Sequence, residues 1–185
     1  EAKGVLSATG DPQRSDFLLD RAYFAEMLSA AERSGSDFLL GYVRASIDSA
    51  NLRSAVRAAR LHKDADFLAL ALVPGGTVAD RAFLTAARTG GELAPLFSGS
   101  ILRPAAELGD AARKGGKLTA FEKACDDALV SYLRSSRLTP FGDSVLIAYL
   151  AARENEITAA RIIMSGRAAG VPADSIRERL REAYV

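Results

Sequence analysis

Alanine is the residue that most limits what this chain can fold into, because 35 of its 185 residues are Ala. Alanine, leucine, arginine and glutamate lose little side-chain freedom in a helix, whereas β-strands are enriched in branched and aromatic residues. Aromatic residues make up only 7% of the chain. No short stretch alternates apolar and polar residues as a half-buried strand does. The sequence therefore predicts an all-α protein.

Turn and capping residues divide the chain into segments in which apolar residues recur at helical spacing. We expect Ser15 or Asp16 to cap the helix at 15–34 and Ser36 to cap the next one, at 37–61, which is the first of two long helices. Thr77, Thr119 and Asp143 are the expected caps of three later helices. The predicted helices cover roughly 15–34, 37–61, 66–72, 77–88, 104–114, 119–136, 143–168 and 173–183.

The best internal boundary lies at residues 92–100, which are apolar and interrupted by Pro95 and Gly99. We therefore expect two similar antiparallel helical units, 1–98 and 99–185. Asn51 and Asn155 are 104 residues apart, and the same offset separates Arg57 from Arg161. Both long helices thus carry Asn-x5-Arg. This match indicates either an internal repeat or a chance coincidence in an alanine-rich chain.

Charge and composition exclude several function classes. The 24 basic and 23 acidic residues give a net charge of +1, which argues against nucleic acid as the main partner. His62 and Cys125 are the single His and the single Cys, too few for a zinc site or an internal disulfide. We expect them to be a helix-end residue and a small packing residue. No apolar run reaches membrane-spanning length.

Nucleotide binding and acid–base catalysis are also disfavoured. Gly115 and Gly116 precede Lys117, but Leu118 stands where a phosphate-binding loop needs Ser or Thr. The acidic pairs at 126–127 and 154–156 are too close in sequence to face each other on a helix. We therefore expect no cofactor and no catalytic site.

Polar residues within apolar stripes are the remaining signal. The second long helix has an apolar stripe that we expect to be buried, and two arginines belong to it: Leu146, Leu150, Ile157 and Met164, with Arg153 and Arg161. In the first long helix, Asn51 follows Ile47 by four residues. Such residues either form hydrogen bonds between helices or line a polar groove that holds another protein.

At these residues the sequence resembles a known family. Residues 148–157, followed by Arg161-Ile162-Ile163, resemble the C-terminal signature of the C subunit of A/V-type ATPases, the equivalent of the eukaryotic vacuolar ATPase d subunit. Residues 47–53, the turn Val73-Pro74-Gly75-Gly76 and residues 20–24 resemble earlier parts of it. The resemblance extends from about residue 20 to 185 and is least clear over 101–138. Family chains carry a further homologous unit at the front. We expect that unit to be missing here, because the first residue is Glu1 rather than Met.

The resemblance implies a non-catalytic coupling subunit of a rotary machine. Such subunits are funnel-shaped and pseudo-symmetric, with repeated helical units that would account for the 104-residue offset. They lie on the cytoplasmic face of the membrane as peripheral parts of the complex. The central rotor stalk enters the funnel, and the proteolipid ring lies beneath it. Torque then passes between ATP synthesis or hydrolysis and ion transport.

The polar residues of the two long helices are the candidate partner-binding residues: Asn51, Arg53, Arg57, Asn155, Glu156 and Arg161. Two other classes stay open from the residues alone. An unrelated helical scaffold or adaptor would bind a partner helix in an amphipathic groove. A helical enzyme would need a polar pocket with perturbed titratable groups.

Overall fold

The computed structural model describes residues 2–182, and their regular structure is entirely helical. The prediction of an all-α protein is confirmed. The α-helices are α1 (Ala2–Thr9), α2 (Pro12–Ser34), α3 (Asp37–Arg60), α4 (Ala65–Ala71), α5 (Asp80–Thr89), α6 (Arg103–Arg113), α7 (Leu118–Arg134), α8 (Asp143–Ala168) and α9 (Ala173–Arg177). Short 3₁₀ turns cover Ala94–Phe97 and Ser135–Leu138.

Of the caps predicted for α2 and α3, the first is wrong and the second is correct. Ser36 caps α3, where its hydroxyl accepts from the Leu39 N–H at 3.0 Å. The helix α2 begins earlier than expected, because Asp11 is its cap and Pro12 its first residue. Proline suits this position, since its missing N–H would have no partner in the first turn of a helix. Ser15 is instead buried within α2.

The other three cap predictions are wrong, because α5, α7 and α8 begin without a side-chain cap. Thr77 bonds to Asp48 of α3 instead. Thr119 lies inside α7, which begins at Leu118. Asp143 is the first residue of α8 rather than its cap.

The last helix is shorter than expected, since α9 ends at Arg177. Beyond it, Arg181 pairs with Asp126, and the Glu182 N–H donates to Asp127 at 2.8 Å. These contacts hold the chain against α7 in a non-helical conformation. The expected end of this helix, at 183, lies outside the described residues.

The helix α3 occupies the centre of the molecule and contacts α2, α4, α5, α6, α7 and α8. Leu52 and Val56 are fully buried in the main core, together with Phe83, Phe97 and Phe121. A second cluster joins α2, α3 and the following loop through Ala31, Val43, Ile47 and Val73. The main core therefore contains residues from both sides of the boundary expected near 98. The division into two units stays a prediction.

The two long helices end in the same kind of turn. After each end, two backbone N–H groups bond to carbonyls of the last helical turn, and one residue is left-handed. That residue is His62 after α3, with φ 51°, and Gly170 after α8, with φ 67°. Asn51 lies eleven residues before His62, whereas Asn155 lies fifteen before Gly170. Relative to these turns the two asparagines are therefore displaced by about one helical turn.

Replacing His62 by glycine is expected to stabilise the protein. A side chain in the left-handed conformation is strained, and glycine removes the strain, which we expect to raise the free energy of unfolding by about 0.5–1 kcal/mol. Chemical denaturation measures the change. His62→Ala, which keeps a Cβ at the same φ, is the control and should bring no comparable gain. Equal stabilisation by both variants would contradict this explanation.

Candidate functional site

Asp48 and Asn51 are buried side chains of α3 that form hydrogen bonds to the loop between α4 and α5. The Asn51 amide donates to the Val73 carbonyl and accepts from the Val73 N–H, both at 2.8 Å. Asp48, one helical turn earlier, accepts from the Thr77 hydroxyl and from the N–H groups of Thr77 and Val78, the latter two at 3.1 Å. Together they fix the loop between α4 and α5 on the side of α3. Buried polar groups need such partners, because an unpaired one loses its hydration without compensation.

The turn of this loop needs glycine because the loop lies very close to α3. A Cβ on Gly76 would collide with the Asp48 carboxylate. Gly75 has φ 104°, a conformation that other residues rarely adopt. The Pro-Gly-Gly sequence therefore allows the loop to reach both Asp48 and Asn51.

Asp110 of α6 binds another loop in the same manner. The residue is 7% exposed, and its carboxylate accepts hydrogen bonds from the N–H groups of Leu93 and Ala94 at 2.9 Å. Arg113 lies 3.1 Å from the same carboxylate. Sequence reasoning missed both Asp48 and Asp110. Asp48 had a detectable signal, since it is one residue from Ile47 and three from Asn51 on the buried side of α3.

Arg53 and Arg57 connect α3 to α7 through ion pairs. Arg53 contacts Asp126, and its Nε lies 3.2 Å from Glu122 Oε2 without hydrogen-bond alignment. Arg57 Nη2 lies 2.7 Å from Glu122 Oε1. Arg181 reaches the other oxygen of Asp126. One network thus joins α3, α7 and the segment after α9.

Aromatic packing strengthens the same helix pair. The Tyr132 hydroxyl of α7 donates to the Phe38 carbonyl of α3 at 3.0 Å, and the two rings are 5.0 Å apart between centroids. A Cβ on Gly41 would collide with this hydroxyl. The close contact between α3 and α7 therefore depends on glycine at position 41.

Cys125 lies in the buried interface beside the ion pairs and is inaccessible to solvent. Burial raises the pKa of its thiol to about 11. The thiol therefore stays protonated at neutral pH, which is the opposite of a reactive thiolate. Its predicted role as a small packing residue is confirmed.

The candidate residues of α8 differ from those of α3, because none is held in a buried network. Asn155 is half-buried, and its side chain forms no hydrogen bond with the residues that the structure describes. Glu156 is exposed and pairs with Arg153, also exposed, at 2.5 Å. Arg161 is exposed and has no ion-pair partner within 2–182. The six candidates therefore do not form one site, and their role in partner binding stays a prediction.

The two faces of α8 are arranged opposite to expectation. Its buried residues are small, namely Ser144, Ala148 and Ala152. Five of its large apolar side chains are each more than half exposed: Leu146, Tyr149, Leu150, Ile157 and Met164. We call these five residues the α8 outer face. Small residues on the inner side allow α8 to lie close to α3 and α7, and no part of the described chain covers the other side.

Across residues 2–182, every helix is too short or too polar to cross a bilayer. Within the same range, the side chains that usually bind metals do not gather in groups of three or more.

These features define an all-helical protein built around one long central helix, with a large apolar surface on a second. The chain belongs to the ATP synthase (C/AC39) subunit family, whose sequence model matches residues 2–179. The resemblance to the C subunit of A/V-type ATPases is thereby confirmed.

Curated relatives agree with the family assignment. The chain is 32% identical over 189 residues to the C subunit of the A-type ATP synthase of Halorubrum lacusprofundi, covering 97% of this chain and 53% of the relative. It is 26% identical over 174 residues to the C subunit of the V-type sodium ATPase of Enterococcus hirae, covering 93% and 52% respectively. The chain thus spans about half the length of these relatives. No solved structure matches it at a significant level.

Asn51 and Asn155 provide a matched pair for testing the buried hydrogen bonds. Asn51→Ala leaves the N–H and carbonyl of Val73 buried without partners, so we expect the free energy of unfolding to fall by about 2–3 kcal/mol. Asn155→Ala removes the same amide group from a position where it has no hydrogen-bond partner. This variant should change the free energy of unfolding by less than about 0.5 kcal/mol. Urea denaturation of both variants measures the difference. Similar losses would show that the Asn51 bonds do not hold the loop.

Proposed function

We propose that the protein is a non-catalytic central-stalk subunit of a rotary A/V-type ATPase or ATP synthase. In this role it connects the rotor shaft to the proteolipid ring and transmits torque between ATP synthesis or hydrolysis and ion transport. It would act as a peripheral, funnel-forming subunit on the cytoplasmic face of the membrane. Membership of the family supports this proposal, as do the names of the relatives.

The α8 outer face is the observation that carries the proposal. Leu146 and Met164, near its two ends, are 62% and 72% exposed. Leu138 and Phe141, just before α8, are more exposed still, at 92% and 86%. Contiguous apolar surface of this kind marks a protein interface, because burying each large side chain contributes about 1.5–3 kcal/mol. A subunit that transmits torque needs such a surface for its partners.

The way α8 is attached fits a load-transmitting role. Its small inner residues place it directly against α3 and α7. The Arg53 and Arg57 ion pairs then join α7 to α3. A force applied to the outer face would pass into the main core through these contacts rather than through a flexible loop.

The candidate residues divide into two roles under this proposal. Glu156 and Arg161 are exposed on α8 and would contact a stalk or ring protein directly. Arginine is well suited to interfaces because it combines an apolar stem with a planar donor group. Asn155 follows the buried Ala148 by seven residues, so it lies on the inner side of the same helix and would not touch that partner directly. Arg57 is also exposed and would belong with the direct contacts. Asn51 and Arg53 would instead act by holding α3 in place.

An adaptor that binds a helix of some other protein is the alternative, and it would use the same apolar face. It differs in one measurable property, since it predicts no affinity for the central-stalk subunits. No feature of the described residues favours an enzyme.

Binding to the purified central-stalk subunits of the same complex tests the proposal. Leu150→Glu, made in the full-length protein, places a charge in the outer face and should weaken binding about tenfold or more. Calorimetric titration measures the affinity. Leu19→Glu is the matched control, because Leu19 of α2 is 57% exposed and Leu150 is 56% exposed.

Two outcomes would contradict the proposal. A folded full-length protein that fails to bind the stalk subunits would exclude the coupling role and leave the adaptor. Binding that both variants weaken equally would show that the α8 outer face is not the contact surface.

A further inference from the structure

An open groove lies between α7, the C-terminal half of α8 and the turn containing α9. Its volume is about 680 Å³. The apolar side chains that line it are Leu118, Ile162, Val171 and Ile176. Three arginines line it as well, namely Arg57, Arg179 and Arg181. The groove is separate from the α8 outer face, whose five residues do not line it.

Gly166 of α8 shapes one wall of this groove. A Cβ at this position would lie 2.8 Å from Cγ1 of Ile176, so a larger residue would displace α9. Ile176 is 7% exposed and packs directly on α8. The wall is therefore fixed in the structure, which a reproducible binding surface requires.

The charges around the groove leave an excess of positive charge. Among the described residues that line it, Glu122 is the one carboxylate, and that group is already shared between Arg53 and Arg57. Arg181 is paired with Asp126. Arg179 is exposed, and it has no ion-pair partner in the described part of the chain. Over residues 157–182 there are five arginines against three carboxylates, although the whole chain has a net charge of only +1.

We propose that this groove binds an acidic amphipathic segment of a partner protein. Carboxylates of the segment would meet the guanidinium groups of Arg179, Arg57 and Arg181, which can bind a carboxylate through two parallel hydrogen bonds. Apolar side chains on its other face would contact Ile162 and Val171. The inference does not depend on the rotary role, since it follows from the shape and charge of the groove alone.

A concave site favours a peptide segment over a lipid surface. Peripheral helices that bind membranes insert protruding apolar side chains into the lipid. Here the apolar side chains line a recess, and Ile176 is almost fully buried. Arginines beside a recessed apolar wall instead match a helix or strand that is acidic on one side and apolar on the other.

Fluorescence anisotropy with two labelled peptides tests the proposal on the full chain. One peptide is an amphipathic helix of Glu and Leu, and the other has every Glu replaced by Lys. The acidic peptide should bind at least about tenfold more tightly, and its affinity should fall as salt is raised. Equal binding of the two peptides would overturn the proposal.

Charge-reversal variants locate the binding surface. Arg179→Glu should weaken binding of the acidic peptide about tenfold, since a like charge would then face its carboxylates. Arg81→Glu makes the same change in net charge at an exposed residue of α5 that does not line the groove, so it should have little effect. Val171→Glu supplies a second variant that tests the apolar wall. Equal losses from Arg179→Glu and Arg81→Glu would overturn the proposed location.

Vesicles of phosphatidylserine and phosphatidylcholine distinguish a membrane from a protein partner. We expect the chain to show no Arg179-dependent binding to them. Vesicle binding that Arg179→Glu abolishes, with no binding of the acidic peptide, would overturn the proposal. The stalk-binding titration reports on the α8 outer face, so failure of the rotary role and failure of this groove are separate results.

Discussion

The paired hydrogen bonds between the Asn51 side chain and the Val73 backbone are the constraint from which the rest of the structure follows. They join the buried side of α3 to a loop that would otherwise expose its backbone, and Asp48 extends the connection to Thr77. With that loop fixed, Leu52 and Val56 can form the main core with residues of α5, α6 and α7. On another side of α3, Arg53 forms an ion pair with Asp126 of α7. The helix α3 is thus bound by polar contacts on two sides and by apolar contacts between them.

The packing of α3 against α7 determines which side chains of α8 face the outside. Because α3 and α7 already form a joined pair, α8 needs only small residues such as Ala148 and Ala152 to pack on them. Its large side chains are then available on the outside, at the surface of a helix that is itself well supported. A rigid helix with an exposed apolar face can bind a partner without first losing the entropy of a disordered loop. The groove between α7, α8 and α9, which Arg57, Arg179 and Arg181 line, adds a second surface with different chemistry.

The sequence predicted the helices from α2 to α8 well, since their spacing and turn residues are local properties, but it predicted no helix where α1 lies. Ser36 was a correct cap because its partner, Leu39, is three residues away. Thr77 was not, because it bonds to Asp48, which local spacing cannot detect. The stripe of Leu150 and Ile157 was correctly placed on one side of α8, yet periodicity cannot show whether that side faces the core or solvent. Only the positions of α3 and α7 decide this, and they depend on contacts between residues far apart in the chain.

Hydroxyl-radical footprinting of the assembled complex is the most direct test of the claim that α8 presents its large apolar side chains to a partner. Tyr149 on the outer face and Tyr23 on α2 are both 58% exposed, so they react from the same starting accessibility. If a partner protein covers the outer face, oxidation of Tyr149 and Met164 will fall severalfold on assembly while that of Tyr23 stays unchanged. If Tyr149 remains as reactive in the complex as in the isolated protein, the outer face is not an interface and this account of α8 is wrong.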